Sequence, residues 1–159
     1  MSVFISHVEE NRPTAEAIVR GLQSAGYKAW SYELSSVPGP TYLSQVMNAI
    51  EQAGAVILVI SPEALGSHQV AREIEAAHEL DRPIIPVLQG ITHEKYLQRR
   101  PDWRLALGAY TSIEVPRGAW TRSCTRSLAG SRPSVWSEVR LRENHCRCPR
   151  RPRLLDEGS

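Results

Sequence analysis

A carboxylate held against apolar surroundings can do chemistry that a solvated one cannot, and Glu73 is placed in that way by its own segment. With Val70 set at zero on a helical wheel of ~100° per residue, Ile74 falls near ~+40°, Ala77 near ~−20° and Leu80 near ~−80°. These three and Val70 define an apolar arc. Glu73 falls near ~−60°, inside the arc, whereas Glu75 and Glu79 fall near ~140° and ~180°, on the outer side. A carboxylate inside such an arc must be paired, hydrogen-bonded or beside a cavity, and a cavity at the end of a strand is where substrates bind. Glu73 is therefore the first candidate for catalysis. The alternative is a carboxylate at the rim of the arc that reaches solvent or an arginine.

Other residues offer weaker chemistry. Trp30 follows a β-prone run and has a ring that would stack on a planar ligand or cap the core. Ser6 and His7 combine a hydroxyl, an imidazole and loop N–H groups able to hold phosphates, against the plainer reading of solvated loop polarity. Ser67 reads as the N-cap of the helix that carries Glu73. His145 with Cys146 and Cys148 is spaced more tightly than zinc-binding pairs, so no metal site is expected.

The elements that would position these residues follow from hydrophobic spacing. Val3–Ile5 reads as a strand, and a polar stretch ending in Asn11-Arg12-Pro13 opens a helix carried by Ala15, Ile18, Val19, Leu22 and Ala25 and stopped at Gly26. Tyr27–Trp30 is a second strand. Residues Ser31–Thr41, with Pro38, Gly39 and Pro40, read as a long exposed loop. Helical spacing returns at Leu43, Val46, Met47 and Ile50. The unbroken run Ala55–Ile60 then reads as a strand buried on both faces. A third helix over about Ser67–Leu80, a fourth strand at Pro83–Leu88 and a fifth at Tyr110–Val115 complete a repeated βα pattern. Such a pattern builds a doubly wound parallel sheet with helices on both faces. Ligands bind such sheets at the carboxyl ends of strands, which directs attention to Ser6–Arg12, Trp30–Thr41 and Ser61–Ser67.

Composition narrows the function. The 159 residues, 42% hydrophobic and 23% charged, suit one ordinary domain. The longest apolar run, Ala53–Ile60, falls far short of the ~18 residues of a membrane-spanning helix, and no secretory leader opens the sequence. Residues 1–116 carry nine Lys/Arg against thirteen Asp/Glu, and residues 117–159 carry ten arginines against four acids, so the net charge of +2 conceals two halves of opposite sign. All three cysteines (Cys124, Cys146 and Cys148) fall in the basic half, which leaves the first 116 residues without a thiol and suits a cytoplasmic setting. Neither the phosphate-cradling Gly-x-x-x-x-Gly-Lys-Ser/Thr nor the dinucleotide-binding Gly-x-Gly-x-x-Gly is present. A phospho-acceptor receiver would need an aspartate where the third strand ends in Ser61.

Taken in order, these segments resemble a bacterial Toll/interleukin receptor (TIR) domain over about residues 2–115. Val3-Phe4-Ile5-Ser6-His7 is similar to the family's opening (V/L)FISH strand, and Gly26-Tyr27-Lys28-Ala29-Trp30 to its GY-x-(V/I)-W strand. Pro38-Gly39 is similar to its BB loop, and Ala55–Ser61 to its VILVIS strand. Ser67 with Glu73 six residues later resembles S-x-W-C-x-x-E, which sets Glu73 at the family's catalytic glutamate. The resemblance implies a flavodoxin-like five-stranded parallel sheet over residues 1–116; residues 117–159 depart from it as an irregular arginine-rich tail. In catalytically active members it implies cleavage of the nicotinamide N-glycosidic bond of NAD, with NAD as substrate and no resident cofactor.

The site implied by the resemblance has Glu73 as catalytic residue and Ser6, His7, Trp30, Tyr32, Glu33, Gly39, Ser61, Ser67 and Gln69 as substrate-binding residues. Trp30 and the loop after it would wall the nicotinamide, while Ser6 and His7 would approach the adenylate or the phosphates. Gln69 and Val70 replace the aromatic residue and cysteine of many members, and Ser31-Tyr32-Glu33 replaces their Tyr-Asp. The expected partners are NAD, further copies of the chain through TIR–TIR contacts and an effector or sensor protein, with no membrane and no dedicated nucleic-acid binding. The tail lacks the family's final helix, apart from a short apolar pattern over Ser134–Glu143, and reads as an abnormal ending of the kind a shifted reading frame produces. Two other readings stand beside the enzyme: a non-catalytic TIR scaffold, and a nucleoside deoxyribosyltransferase-like enzyme that also uses a glutamate on a related fold.

Overall fold

The computed structural model describes residues 2–39, 41–107 and 112–115, with only the backbone at Glu33 and Leu34. The elements are β1 (Ser2–Ser6), a 3₁₀ turn (Glu9–Asn11), α1 (Arg12–Ser24), β2 (Lys28–Trp30), α2 (Tyr32–Ser35), α3 (Tyr42–Gln52), β3 (Ala55–Ile60), a second 3₁₀ turn (Ala64–Gly66), α4 (His68–Glu79), β4 (Ile84–Gln89), α5 (His93–Arg99), α6 (Trp103–Leu107) and β5 (Ile113–Val115). The strands pair in parallel in the order β2-β1-β3-β4-β5. This is the flavodoxin-like order, in which the winding reverses between β1 and β3.

Strand alternation divides the core in two. Phe4, Val56, Leu58, Ile60, Ile84 and Leu88 point to one face, where they meet Val46 and Ile50 of α3, Val70, Ile74 and Ala77 of α4, and Tyr96, Trp103 and Leu107 of α5 and α6. Val3, Ile5, Ile57, Val59 and Val87 point to the other, against Ala15, Ile18, Val19 and Leu22 of α1. Every residue of β3 is buried, as its unbroken apolar run demands. The main-chain groups of β4 alternate sides, and Pro83 offers its carbonyl to Val56 N, so Pro86 turns its missing N–H toward β5. There the pairing starts only at Val87.

Local signals fix the helix ends. Gly26, at φ 85°, closes α1 in a Schellman turn with Gly26 N bonded to Gln23 O and Tyr27 N to Leu22 O. Thr41 caps α3 by accepting from Ser44 N, and Ser67 caps α4 by accepting from Val70 N. Asp81 takes the left-handed position after α4 at φ 50°, where glycine is the usual residue.

One expectation changes. Residues Ser31–Thr41 are not loop throughout: Ser31 is buried in extended geometry, and Tyr32–Ser35 form one helical turn because the Tyr32 ring finds aromatic partners on either side. The segment between β4 and β5 holds two short helices, α5 and α6. They are joined to the turn before α4 by Arg100, which donates to Leu65 O and lies over the Trp103 ring at 4.3 Å. The fifth strand is described only over Ile113–Val115. Residues 110 and 111, the arginine-rich tail, the Ser134–Glu143 pattern, His145, Cys146 and Cys148 lie outside the described residues.

Candidate active site

Glu73 is 4% exposed, while Glu75 and Glu79 on the same helix are exposed. The core-facing arc of α4 sets this direction, and the Ser67 cap fixes where the helix begins. The carboxylate is held at Oε1 by two donors, the Tyr42 hydroxyl of α3 at 2.8 Å and Gln69 Nε2, one turn back on α4, at 3.2 Å. It borders a cavity of about 380 Å³ in the seam between α3 and α4. Tyr42, Leu43, Val46 and Met47 line it from α3, and His68, Gln69, Arg72 and Glu73 from α4. The volume lies in the ~300–1,000 Å³ range of small-molecule sites. The walls combine an apolar floor with one carboxylate and a basic rim.

An aromatic column runs from the sheet to this cavity. The Trp30 ring stacks on buried Phe4 with centroids 5.3 Å apart, Tyr32 meets Trp30 edge-on at 6.5 Å, and Tyr32 meets Tyr42 edge-on at 4.4 Å. Trp30 and Tyr32 thus reach Glu73 through Tyr42, and neither lines the cavity itself. Trp30 takes the core-capping alternative, packed against the buried cluster below it.

Ser6, His7 and Ser61 are placed elsewhere. All three are buried, so the solvated-loop reading of Ser6 and His7 does not hold: β1 stays paired through Ser6, which lies opposite Leu58. The Ser61 hydroxyl donates to Asn11 Oδ1 at 2.8 Å and accepts from Ala64 N, and Asn11 Nδ2 donates to Gln89 Oε1 at 3.3 Å. His7 Nδ1 lies 3.4 Å from the Ile5 carbonyl. Ser6 Oγ is buried without a hydrogen-bond partner among the described residues. Ser67 is occupied as a helix cap. Gly39 lies in an exposed loop at φ 114°, a conformation that favours glycine, and does not line the cavity. The Glu33 side chain lies outside the described residues.

Sequence reasoning missed Tyr42, Arg72, His68 and Leu43 as members of the site. Tyr42 had one available signal, as an aromatic residue directly after a capping threonine. Among the described residues no group of three or more His, Cys, Asp or Glu side chains could hold a metal, and no helix is long and apolar enough to cross a membrane.

A sheet in this order, with a buried carboxylate beside it, defines a flavodoxin-like α/β protein with a small-molecule cavity at a helix seam. A sequence profile of the TIR domain matches residues 3–116, and the chain belongs to the TIR domain family. The TIR domains of the activated Roq1 resistosome, which recognises the pathogen effector XopQ, superpose with a TM-score of 0.65 at 16% identity, over 81% of this chain and 97% of that one. A TIR-STING receptor from C. gigas, solved with 2′,3′-cGAMP, gives 0.63 at 26% identity over 80% of this chain, which corresponds to only 38% of the receptor. A CMP N-glycosidase of Clostridium botulinum shares the fold at a TM-score of 0.51 and 17% identity, over 80% of this chain and 98% of the enzyme. No sequence among curated proteins matches significantly.

Proposed function

We propose that this TIR domain cleaves NAD at the bond between nicotinamide and ribose, with Glu73 as the catalytic residue. The observation that carries the reading is a buried carboxylate, oriented by two donors, on the wall of a cavity sized for part of a dinucleotide. As the C1′–N bond breaks, nicotinamide leaves with the bonding electrons and the ribose carbon becomes cationic. An ionised carboxylate beside the ribose hydroxyls stabilises that charge and orients the sugar. Water then adds at C1′ and loses a proton to give ADP-ribose, or a nucleophile within the product adds and gives a cyclic compound. NAD is the substrate and no resident cofactor takes part. The reaction belongs to a cytoplasmic signalling or antiphage defence pathway switched on by self-association, with an effector or sensor protein as partner. Membership of the TIR family and the likeness to a TIR resistosome support this part of the reading.

The test is incubation of concentrated protein with NAD and chromatography of nicotinamide and its co-product, beside Glu73→Ala. Release that the substitution abolishes is the expected result. No release even from assembled protein would overturn it. Base exchange on nucleosides without loss of NAD would point instead to a deoxyribosyltransferase-like enzyme.

A second reading, a non-catalytic scaffold acting through TIR–TIR contacts, draws on a separate observation. Val37 in the loop before α3 and Leu43 in its first turn are 58% and 51% exposed, so two large apolar side chains stand in water at this edge of the domain.

A further inference from the structure

We propose that Tyr42 is the positioning residue for Glu73, an assignment that rests on reading Glu73 as the group that faces the scissile bond. Of the two donors on Oε1, Gln69 comes from the same helix as Glu73 and can fix the carboxylate only relative to α4. Tyr42 comes from α3, across the cavity and 31 residues away in sequence, and makes the shorter bond. It therefore fixes the carboxylate relative to the opposite wall, the geometry that a substrate lodged between the walls experiences.

The phenol suits this role because it is itself held. Its ring abuts Tyr32 at 4.4 Å with planes 67° apart, and Tyr32 leads through Trp30 to buried Phe4 in the sheet. A ring with two side-chain torsions, braced on one edge, places its hydroxyl at little entropic cost. A hydroxyl donating to a carboxylate also favours the ionised form, which is the form that stabilises a cationic ribose carbon. Tyr42 is, besides, the one benzenoid ring among the described residues that line the cavity. Its body therefore supplies the flat apolar surface that a planar leaving group needs, while its tip holds Glu73.

The two parts separate by substitution in the full chain. Tyr42→Phe keeps the ring and removes the donor; kcat for NAD is expected to fall roughly ten- to hundred-fold with KM nearly unchanged. Tyr42→Leu removes both, and KM is expected to rise as kcat falls. A merely structural hydroxyl would lower Tm in Tyr42→Phe and leave kcat of the folded protein as it was, which would overturn the proposal. A readout without turnover distinguishes this failure from failure of the NAD reading: the ¹³C titration of the Glu73 side-chain carboxyl, identified by Glu73→Gln. Among the described residues, the charged and titratable groups that share the cavity with Glu73 are Tyr42 on α3 and His68 and Arg72 on α4, and only the first is altered. The titration is expected to move to higher pH in Tyr42→Phe. An unmoved titration overturns the proposal whether or not NAD is cleaved. A moved titration in a chain that releases no nicotinamide upholds the hold of Tyr42 on Glu73 and removes the NAD reading alone.

Discussion

Two buried polar clusters among the described residues use their hydrogen bonds differently. At the strand ends, where the topology directs attention first, the Ser61 hydroxyl is taken by Asn11 and by Ala64 N, and Asn11 is tied to Gln89. That cluster ties the carboxyl ends of β3 and β4 to the turn after β1. At the seam of α3 and α4, two donors converge on one carboxylate oxygen beside an open volume. Winding order alone nominates the first cluster, and concavity selects the second. A polar group near a strand end becomes a site only when the packing leaves room beside it.

Substitutions in the two clusters should separate chemistry from stability. The largest effect is expected at the seam. Glu73→Gln keeps the volume and removes the charge, and nicotinamide release should fall by roughly 10²–10³-fold while Tm changes little. Second comes Asn11→Ala, which strips buried partners from Ser61 and Gln89. It should cost about 1–3 kcal/mol in denaturant unfolding, with turnover per folded molecule intact. Lost turnover at unchanged stability would break the comparison, because the strand-end cluster would then be the functional one. Third, Asp81→Gly relieves the left-handed position that ends α4 and should raise stability by about 0.5–1 kcal/mol with turnover unaffected. A gain accompanied by lost turnover would show that the C-terminus of α4 is coupled to the cavity.

The smallest effect belongs to Asp102, whose carboxyl is held below the ordinary aspartate range chiefly by its hydrogen bonds from Arg100. A lowered folded-state value means that the stabilisation is present above the unfolded aspartate pKa and is lost as pH falls through the folded one. Asp102→Asn should therefore lower Tm slightly at neutral pH, an effect that fades as pH falls below the ordinary aspartate range. The effect on Tm is small because the Asp102 side chain is 58% exposed.

Much of the frame is legible in sequence because burial imposes periodicity. Ala55–Ile60 reads as a doubly buried strand and is one. Val46 and Ile50, and Val70, Ile74 and Ala77, fall on the faces that spacing assigns to them. The inward turn of Glu73 follows from the same arithmetic. What spacing cannot deliver is contact across elements. Tyr42 lies 31 residues from Glu73, and only the packing of α3 on α4 joins them. The burial of Ser6 and His7 was equally hidden, since a five-residue strand gives no sign of how far its pairing extends. Helices α5 and α6, of seven and five residues, are too short to repeat a hydrophobic stripe.

The loop before α3 is fastened at one point by an amide pair: Val37 N donates to Gln45 Oε1 at 2.8 Å, and Gln45 Nε2 donates to Val37 O at 3.0 Å. A side-chain amide here imitates a neighbouring strand, meeting both main-chain groups of one residue. The outward-facing valine is thereby presented as a fixed knob instead of a swinging tether. A second protein docking on this edge would meet a surface whose backbone freedom had been surrendered during folding, so association would forfeit less entropy.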